Sequence, residues 1–238
     1  MPFSDIDDRV AEVRGRIAEA ARRGGHGQDV RLIAVTKTHG SDAVEAAWRS
    51  GIRDVGENKV QEALDKQPLV RGEAGAARWH LIGHLQRNKV RFLDRFTLFH
   101  ALDSARLADA VHEYGARRGT AVDALMQVNV SGEASKGGFM AGGAGGDGAS
   151  DVAREADRWR LLSGIRCVGV MTMAPLDASE RELRGVFAGA RAACAAVRAA
   201  GHADAHELSM GMSGDYVMAV EEGATLVRLG TVLFGART

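Results

Sequence analysis

Residues 31–37 read RLIAVTK, and this stretch decides how the rest of the chain is interpreted. Its aliphatic positions are typical of a short strand that is buried on both faces of a parallel sheet. Residues 38–41 (THGS) then read as a turn and a helix N-cap. Lys37 therefore stands at the carboxyl end of a buried strand. A desolvated lysine is a nucleophile toward carbonyl carbons, whereas a lysine that extends from the strand end to solvent is the alternative.

Seven further apolar runs of strand length follow, and helix-like segments separate them. The eight predicted strands are 32–36, 52–55, 79–82, 97–100, 124–130, 165–171, 207–210 and 226–229. The helices between them are predicted at 42–49, 59–66, 87–93, 105–117, 151–162, 179–199 and 215–222, and one extra helix precedes the first strand. Such strict alternation requires a parallel sheet.

Eight strand–helix units in a chain of 238 residues are typical of a closed (β/α)8 TIM barrel. An open doubly wound sheet is the alternative, but the glycine fingerprint that usually follows its first strand is missing after Lys37. We therefore expect an α/β fold, with residues 1–238 forming a single TIM-barrel domain.

The charge balance excludes several classes of function. The chain has 31 basic and 31 acidic residues, and general nucleic-acid binders and anionic-membrane binders both need a basic excess. Neither a signal peptide nor a membrane span is recognisable, and Cys167 and Cys194 lack metal-binding or redox spacing. His80 and His84 are separated by a strand end, so no metal site is predicted. We expect a cytoplasmic protein that is a monomer.

The carboxyl ends of all strands in such a barrel meet on one face, so distant residues become neighbours there. Two clusters rich in glycine and hydroxyl side chains follow the last two strands, at 209–213 (SMGMS) and 228–231 (RLGT). Glycines let backbone N–H groups approach an anion, and Ser and Thr hydroxyls add donors. These clusters predict a phosphate site, although glycines that only make tight turns are the alternative.

The loop after the fifth predicted strand interrupts the regular alternation of strands and helices. Residues 140–150 are rich in Gly and Ala, which is typical of a mobile loop, and such a loop would act either as a partial lid or as a plain linker. Lys136 precedes it, either as a solvated lysine or as a second cation at the mouth of the site.

An aldehyde that carries a phosphate would satisfy both the lysine and the phosphate site. Pyridoxal 5′-phosphate (PLP) is the obvious candidate. Arg228 would then face the pyridine nitrogen, and because a guanidinium does not give up its proton, that nitrogen would stay unprotonated. Carbanion chemistry on the ring would be weakened as a result.

The whole chain closely resembles the pyridoxal phosphate homeostasis proteins, a family similar to the barrel domain of alanine racemase without its C-terminal β-domain. The stretches that carry the resemblance are 34–37 (AVTK), 56–62 (GENKVQE), 79–89 (WHLIGHLQRNK), 127–130 (QVNV), 136–139 (KGGF), 169–175 (GVMTMAP), 208–215 (LSMGMSGD), 227–231 (VRLGT) and 234–237 (FGAR). The resemblance implies PLP linked as a Schiff base to Lys37. The other cofactor-binding residues that we expect are Asn58, Asn129, Ser209, Ser213, Arg228, Gly230 and Thr231.

The function that this implies is to buffer PLP and deliver it to apo-enzymes, with little or no turnover and with Lys136 as a possible transfer residue. A weak PLP-dependent amino-acid racemase is the alternative. The tyrosine that usually supplies the second base of racemases has no counterpart, because Tyr114 lies in a predicted helix and Tyr216 follows the phosphate site. A third possibility is a PLP-free aldolase that forms a Schiff base with a phosphosugar.

Overall fold

Nine strands lie in the part of the chain that the structure, a computed structural model, describes: residues 3–133, 137–141 and 148–235, with only the backbone for 148–150. They are β1 (Arg31–Val35), β2 (Asp54–Glu57), β3 (Arg78–Leu81), β4 (Leu98–Leu102), β5 (Val122–Asn129), β6 (Phe139–Met140), β7 (Ile165–Met171), β8 (Glu207–Ser209) and β9 (Leu226–Leu229). All pair in parallel, and eight of them close a barrel in the order β1-β2-β3-β4-β5-β7-β8-β9, with β9 returning to β1. The short β6 adds to β5 outside this ring.

Helices connect the strands and surround the barrel. They are α1 (Ile6–Gly24), α2 (Ser41–Arg49), α3 (Val60–Lys66), α4 (Ala105–Arg118), α5 (Gly148–Trp159), α6 (Glu180–Ala199), α7 (Tyr216–Glu221) and α8 (Thr231–Phe234). Three 3₁₀ helices lie at Gln67–Leu69, Gly72–Ala76 and Arg87–Arg95. The prediction of a (β/α)8 barrel with an extra N-terminal helix is confirmed.

The extra helix α1 is amphipathic and packs on the outside of the barrel. The apolar side chains of one face recur at helical spacing and are buried: Ile6, Val10, Val13, Ile17 and Ala20. It packs against α7 and α8, so it covers the region where the chain returns to the first strand. It ends at Gly25, whose φ of 67° is the left-handed conformation that glycine adopts most readily.

Three local predictions differ from the structure. The second strand was expected at 52–55 but runs from Asp54 to Glu57, because its charged end residues find partners inside the protein. The segment expected as a helix at 87–93 is a 3₁₀ helix, in which buried Val90 and Leu93 share one face at a spacing of three. The loop expected at 140–150 is shorter, since Met140 belongs to β6 and α5 begins at Gly148; residues 142–147 lie outside the described part.

The barrel and its helices share one apolar core, in which Ile33, Leu81, Phe99, Leu125 and Leu229 are at most 1% exposed. Polar side chains on several strands are buried among them and belong to the site described below. No helix in the ranges that the structure describes has the length and apolarity needed to cross a membrane.

Candidate functional site

A cavity of about 1110 Å³ opens at the carboxyl ends of the barrel strands. Small-molecule sites usually measure about 300–1,000 Å³, so this cavity is large enough for a cofactor and a substrate-sized amine. Six of the eight cofactor-binding residues expected from the sequence line it: Lys37, Asn58, Ser213, Arg228, Gly230 and Thr231. Residues from the first, second and last two strand ends thus meet in one space.

Lys37 lies two residues after the end of β1, and a buried ion pair holds Thr36, the residue before it. The Nζ atom of Lys66 lies 2.5 Å from Glu57 Oε1 and donates to the Thr36 carbonyl at 2.8 Å. The Thr36 hydroxyl donates to the same Glu57 oxygen at 2.6 Å. Lys66 is 5% exposed and Glu57 is fully buried, so these contacts form inside the protein. They fix the backbone from which Lys37 enters the cavity.

The residue after Lys37 has an unusual backbone conformation. Thr38 has a φ of 69°, which lies in the left-handed region that a β-branched residue rarely adopts. Its N–H donates to the carboxylate of Glu62, and Lys66 Nζ lies 3.4 Å from the same carboxylate oxygen. Both neighbours of Lys37 are therefore tied to Lys66, a residue to which the sequence analysis gave no role.

The loops after β8 and β9 are joined at Ser213. Its hydroxyl oxygen accepts hydrogen bonds from the backbone N–H groups of Gly230 at 3.4 Å and Val232 at 3.3 Å. The hydroxyl-bearing Thr231 lies between these two residues in sequence and also lines the cavity. Hydroxyl and amide donors from two loops are thus concentrated in one corner, as a phosphate group requires.

A carboxylate lies beside this corner. Asp215 lines the cavity, and its Oδ1 accepts from the Met212 N–H at 2.5 Å. Burial raises the pKa of the Asp215 carboxyl, while that hydrogen bond and the charge of Arg228 oppose the shift. The Met212 amide thus donates to this carboxylate and is not counted among the donors for an anion. The donors that remain assigned to an anion are those around Ser213 and Gly230.

Arg228 on β9 is 5% exposed and has two anchors beneath the cavity. Its Nη1 donates to Ser209 Oγ at 2.5 Å, and its Nη2 donates to the Thr172 carbonyl at 3.0 Å. Burial lowers the pKa of Arg228 to about 10, and the charge of Asp215 opposes this shift. The guanidinium therefore remains charged at neutral pH and presents a fixed cation to the cavity.

Two of the expected site residues, Ser209 and Asn129, do not line the cavity, and a third is not described. Ser209 is fully buried beneath the cavity and touches Arg228. Asn129 is 5% exposed and organises the loop after β5: its Nδ2 donates to the Glu133 carbonyl at 2.9 Å, and its Oδ1 accepts from the Gly132 N–H at 3.0 Å. The transfer residue proposed from the sequence, Lys136, falls outside the described residues.

A histidine–aspartate pair at the cavity wall was not predicted as part of the site. His84 and Asp103 both line the cavity, and His84 Nδ1 lies 2.8 Å from Asp103 Oδ2. The His84 side chain is 69% exposed, so it is accessible to a ligand from solvent. Asp103 follows β4, and its position after a buried run was a signal that the sequence analysis did not use.

The donor set fits a phosphorylated aldehyde with a ring nitrogen. The Lys37 amine can condense with the aldehyde, the Ser213 and Thr231 hydroxyls with the nearby amides can hold the phosphate, and Arg228 can donate to the ring nitrogen. In the described residues, no group of three or more His, Cys, Asp or Glu side chains is arranged to hold a metal ion. Cys167 and Cys194 are buried and not bonded to each other.

Comparison with known proteins identifies the family of this chain. The family model described as "Alanine racemase, N-terminal domain" matches residues 10–238. The pyridoxal phosphate homeostasis protein of Aquifex aeolicus is 34% identical over 233 residues, covering 97% of both chains. That of Deinococcus radiodurans is 39% identical over 226 residues, covering 94% of this chain and 97% of the relative.

A solved structure is similar over almost the whole chain as well. PipY of Synechococcus elongatus PCC7942, determined with PLP bound, superposes with a TM-score of 0.82 at 34% identity, covering 97% of this chain and 100% of PipY. The family expected from the sequence is confirmed: the chain belongs to the pyridoxal phosphate homeostasis proteins, within the family of the alanine racemase N-terminal domain.

Proposed function

We propose that this protein binds pyridoxal 5′-phosphate in the cavity and buffers or delivers it in vitamin B6 homeostasis. The observation that carries the proposal is the meeting of Lys37 with the donors around Ser213 and Arg228 in one space. The relatives named as pyridoxal phosphate homeostasis proteins, and PipY solved with PLP bound, support the choice of ligand.

The cavity residues have separate roles in this proposal. Lys37 holds the aldehyde carbon as a Schiff base, because it enters the cavity from a backbone fixed on both sides. The hydroxyls of Ser213 and Thr231 hold the phosphate, and the Gly230 and Val232 amides position the Ser213 oxygen. Arg228 donates to the ring nitrogen. When bound, PLP supplies an aldehyde that condenses with amines and a ring that withdraws electrons.

Arg228 is the reason to expect storage and delivery instead of turnover. A guanidinium whose pKa stays near 10 does not protonate the ring nitrogen at neutral pH, so the ring withdraws electrons weakly. Neither of the two tyrosines, Tyr114 and Tyr216, lines the cavity as a second base would have to. Tyr216 is 2% exposed beside α1, and Tyr114 lies on α4 next to Arg118.

One observation favours the racemase alternative. The pair of His84 and Asp103 lines the same cavity as Lys37, and a histidine oriented by a carboxylate is a common proton-transfer group. Weak racemisation with Lys37 and His84 as the two bases is therefore the second candidate. Under either function, we propose that the protein acts as a cytoplasmic monomer, on the sequence grounds given above.

Transfer of PLP to an apo-enzyme, measured beside racemase activity, distinguishes delivery from racemisation. Protein loaded with PLP is mixed with any apo PLP-dependent enzyme, and recovery of the acceptor's activity is followed over time. We expect full recovery, with slower transfer but normal PLP occupancy in Lys136→Ala. Parallel assays use excess D- and L-amino acids. If the wild-type protein racemises an amino acid over multiple turnovers and His84→Gln does not, the protein is a racemase and the delivery function is wrong.

A further inference from the structure

A continuous line of polar side chains crosses the interior of the barrel. It joins five residues on five strands, none more than 5% exposed: Asp54 on β2, His80 on β3, His100 on β4, Ser209 on β8 and Arg228 on β9. Asp54 stands at the amino end of its strand, where Arg78 pairs with it. Arg228 stands at the cavity. The line therefore runs from one end of the barrel to the other.

Each residue in this line lies within hydrogen-bond distance of the next. Arg228 Nη1 lies 2.5 Å from Ser209 Oγ, and Ser209 Oγ lies 2.9 Å from His100 Nδ1. His100 Nε2 lies 2.9 Å from His80 Nδ1, and His80 Nε2 lies 2.9 Å from Asp54 Oδ1. Both ring nitrogens of both histidines are used, so neither imidazole can turn without breaking a contact.

The two ends of the line determine where each proton lies. Arg228 can only donate, so the Ser209 oxygen accepts there. The buried Ser209 hydroxyl also has a proton to donate, and His100 Nδ1 is its other partner among the described residues, so we orient this bond from Ser209 to His100. An imidazole that accepts at Nδ1 carries its proton on Nε2, so His100 donates to His80, and His80 in turn donates to Asp54. All four hydrogen bonds then point from the guanidinium toward the carboxylate.

The charges in the line are consistent with this arrangement. Burial lowers the pKa of His100 well below its ordinary value, and the charge of Arg228 lowers it further. His100 is therefore neutral at pH 7 and can accept from Ser209. Burial raises the pKa of Asp54, but hydrogen bonds from His80 and Arg78 outweigh it and hold the pKa well below the usual range. Asp54 is therefore an ionised acceptor.

We infer that His80 and His100 are positioning residues that hold the Arg228 guanidinium in one orientation toward the ring nitrogen of the ligand. His100 accepts a hydrogen bond from the Ser209 hydroxyl, so the lone pairs of Ser209 stay directed at Arg228 Nη1. With Nη2 bound to the Thr172 carbonyl, the guanidinium plane is fixed at two points. Without His100, the Ser209 hydroxyl can turn its proton toward Arg228, and that anchor is lost. Only the identity of the ligand rests on the proposed function.

The first test needs no ligand. Nitrogen-15 NMR of the ligand-free protein distinguishes protonated from unprotonated imidazole nitrogens. We expect both His80 and His100 to be neutral, with the proton on Nε2. A cationic His100, or a proton on His100 Nδ1, would overturn the inferred direction of the line.

The second test compares affinity for PLP with affinity for its 1-deaza analogue, in which a C–H replaces the ring nitrogen. We expect the wild-type protein to prefer PLP by about tenfold, as the loss of a charge-assisted hydrogen bond implies. His100→Phe should bring the ratio of the two affinities close to one. His100→Gln keeps an acceptor and a donor on the same side chain and should preserve the preference.

Control variants separate positioning from simple loss of stability. Phe99→Leu disturbs the neighbouring core position on β4 without touching the line, so the ratio should stay near that of the wild type. If His100→Phe does not fold, Ser209→Ala removes the same anchor and should also abolish the preference. An unchanged ratio in the folded variant, or no preference in the wild-type protein, would overturn the inference. Failure of the wild-type protein to bind either ligand would refute the proposed function but leave the NMR result standing.

Discussion

Replacement of Lys66 by methionine tests how the turn that carries Lys37 is held. The substitution keeps the length and apolar stem of the side chain but removes the cation that faces Glu57 at 2.5 Å. Glu57 is fully buried, and among the described residues its Oε2 atom has no hydrogen-bond partner. Without Lys66, the carboxylate would be an uncompensated buried charge, which proteins avoid by protonation.

The size of the effect follows from the cost of that protonation. Burial raises the pKa of Glu57, and in the native protein hydrogen bonds from Lys66 and Thr36 oppose that rise. In the unfolded chain the side chain keeps its ordinary pKa of 4.5. Holding it protonated above that pH costs about 1.4 kcal/mol per pH unit, which gives about 3.4 kcal/mol at pH 7 and about 0.7 kcal/mol at pH 5.

The sign of the pH dependence is therefore fixed. Because the pKa in the folded variant lies above that in the unfolded chain, the variant loses stability as the pH rises from 4.5 toward the folded-state pKa. The pKa of Glu57 is raised in the wild-type protein as well, so the wild type bears part of the same cost. We expect urea denaturation to show Lys66→Met destabilised by up to about 3 kcal/mol at pH 7, with most of that deficit gone at pH 5.

Two controls accompany this measurement. Glu57→Gln combined with Lys66→Met removes the buried acid, so it should restore most of the stability and abolish the pH dependence. Lys59→Met removes an exposed lysine at the start of the same helix and should change the free energy of unfolding by less than about 0.5 kcal/mol. An equal deficit at pH 5 and pH 7, or no rescue by the second substitution, would refute the reasoning.

Two further predictions concern the anion corner and the buried thiols. Ser213→Ala should weaken PLP binding by about ten- to a hundredfold, since a charge-assisted hydrogen bond is worth about 1.5–3 kcal/mol, while affinity for pyridoxal hardly changes; equal weakening of both ligands in fluorescence titrations would assign Ser213 to the fold alone. Burial raises the pKa of Cys167 to about 12 and also raises that of Cys194. Iodoacetamide should therefore label neither thiol in the folded protein and both in urea; rapid labelling of native protein, seen by mass spectrometry, would contradict this.

The sequence allowed the barrel and most of its cavity to be predicted, for a simple geometric reason. Alternating strands and helices require parallel pairing, and parallel strands in a barrel bring all their carboxyl ends to one face. The positions of Lys37, Ser213 and Arg228 in the cavity follow from that rule alone. The end of β2 was harder to place, because a charged residue such as Glu57 resembles the polar residues that end strands.

The supporting contacts could not be predicted in the same way. Lys66 and Glu57 are nine residues apart, and nothing in their sequence spacing shows that both become buried. The line that ends at Arg228 joins His100 to Ser209 across 109 residues, and this contact depends on barrel closure and on which face of each strand points inward. Histidines within the predicted strands 79–82 and 97–100 were signals for it, but such residues do not by themselves identify their partners.

The central claim is that Lys37 holds PLP covalently in this cavity. The most direct measurement is borohydride reduction of the protein loaded with PLP, followed by peptide mapping of the pyridoxyl adduct and the same treatment of Lys37→Ala. We predict one adduct per chain on Lys37, and in the variant no stoichiometric adduct, although the donors around Ser213 still retain some PLP without a covalent bond. A full equivalent of adduct on another lysine, or an undiminished adduct in Lys37→Ala, would contradict the account.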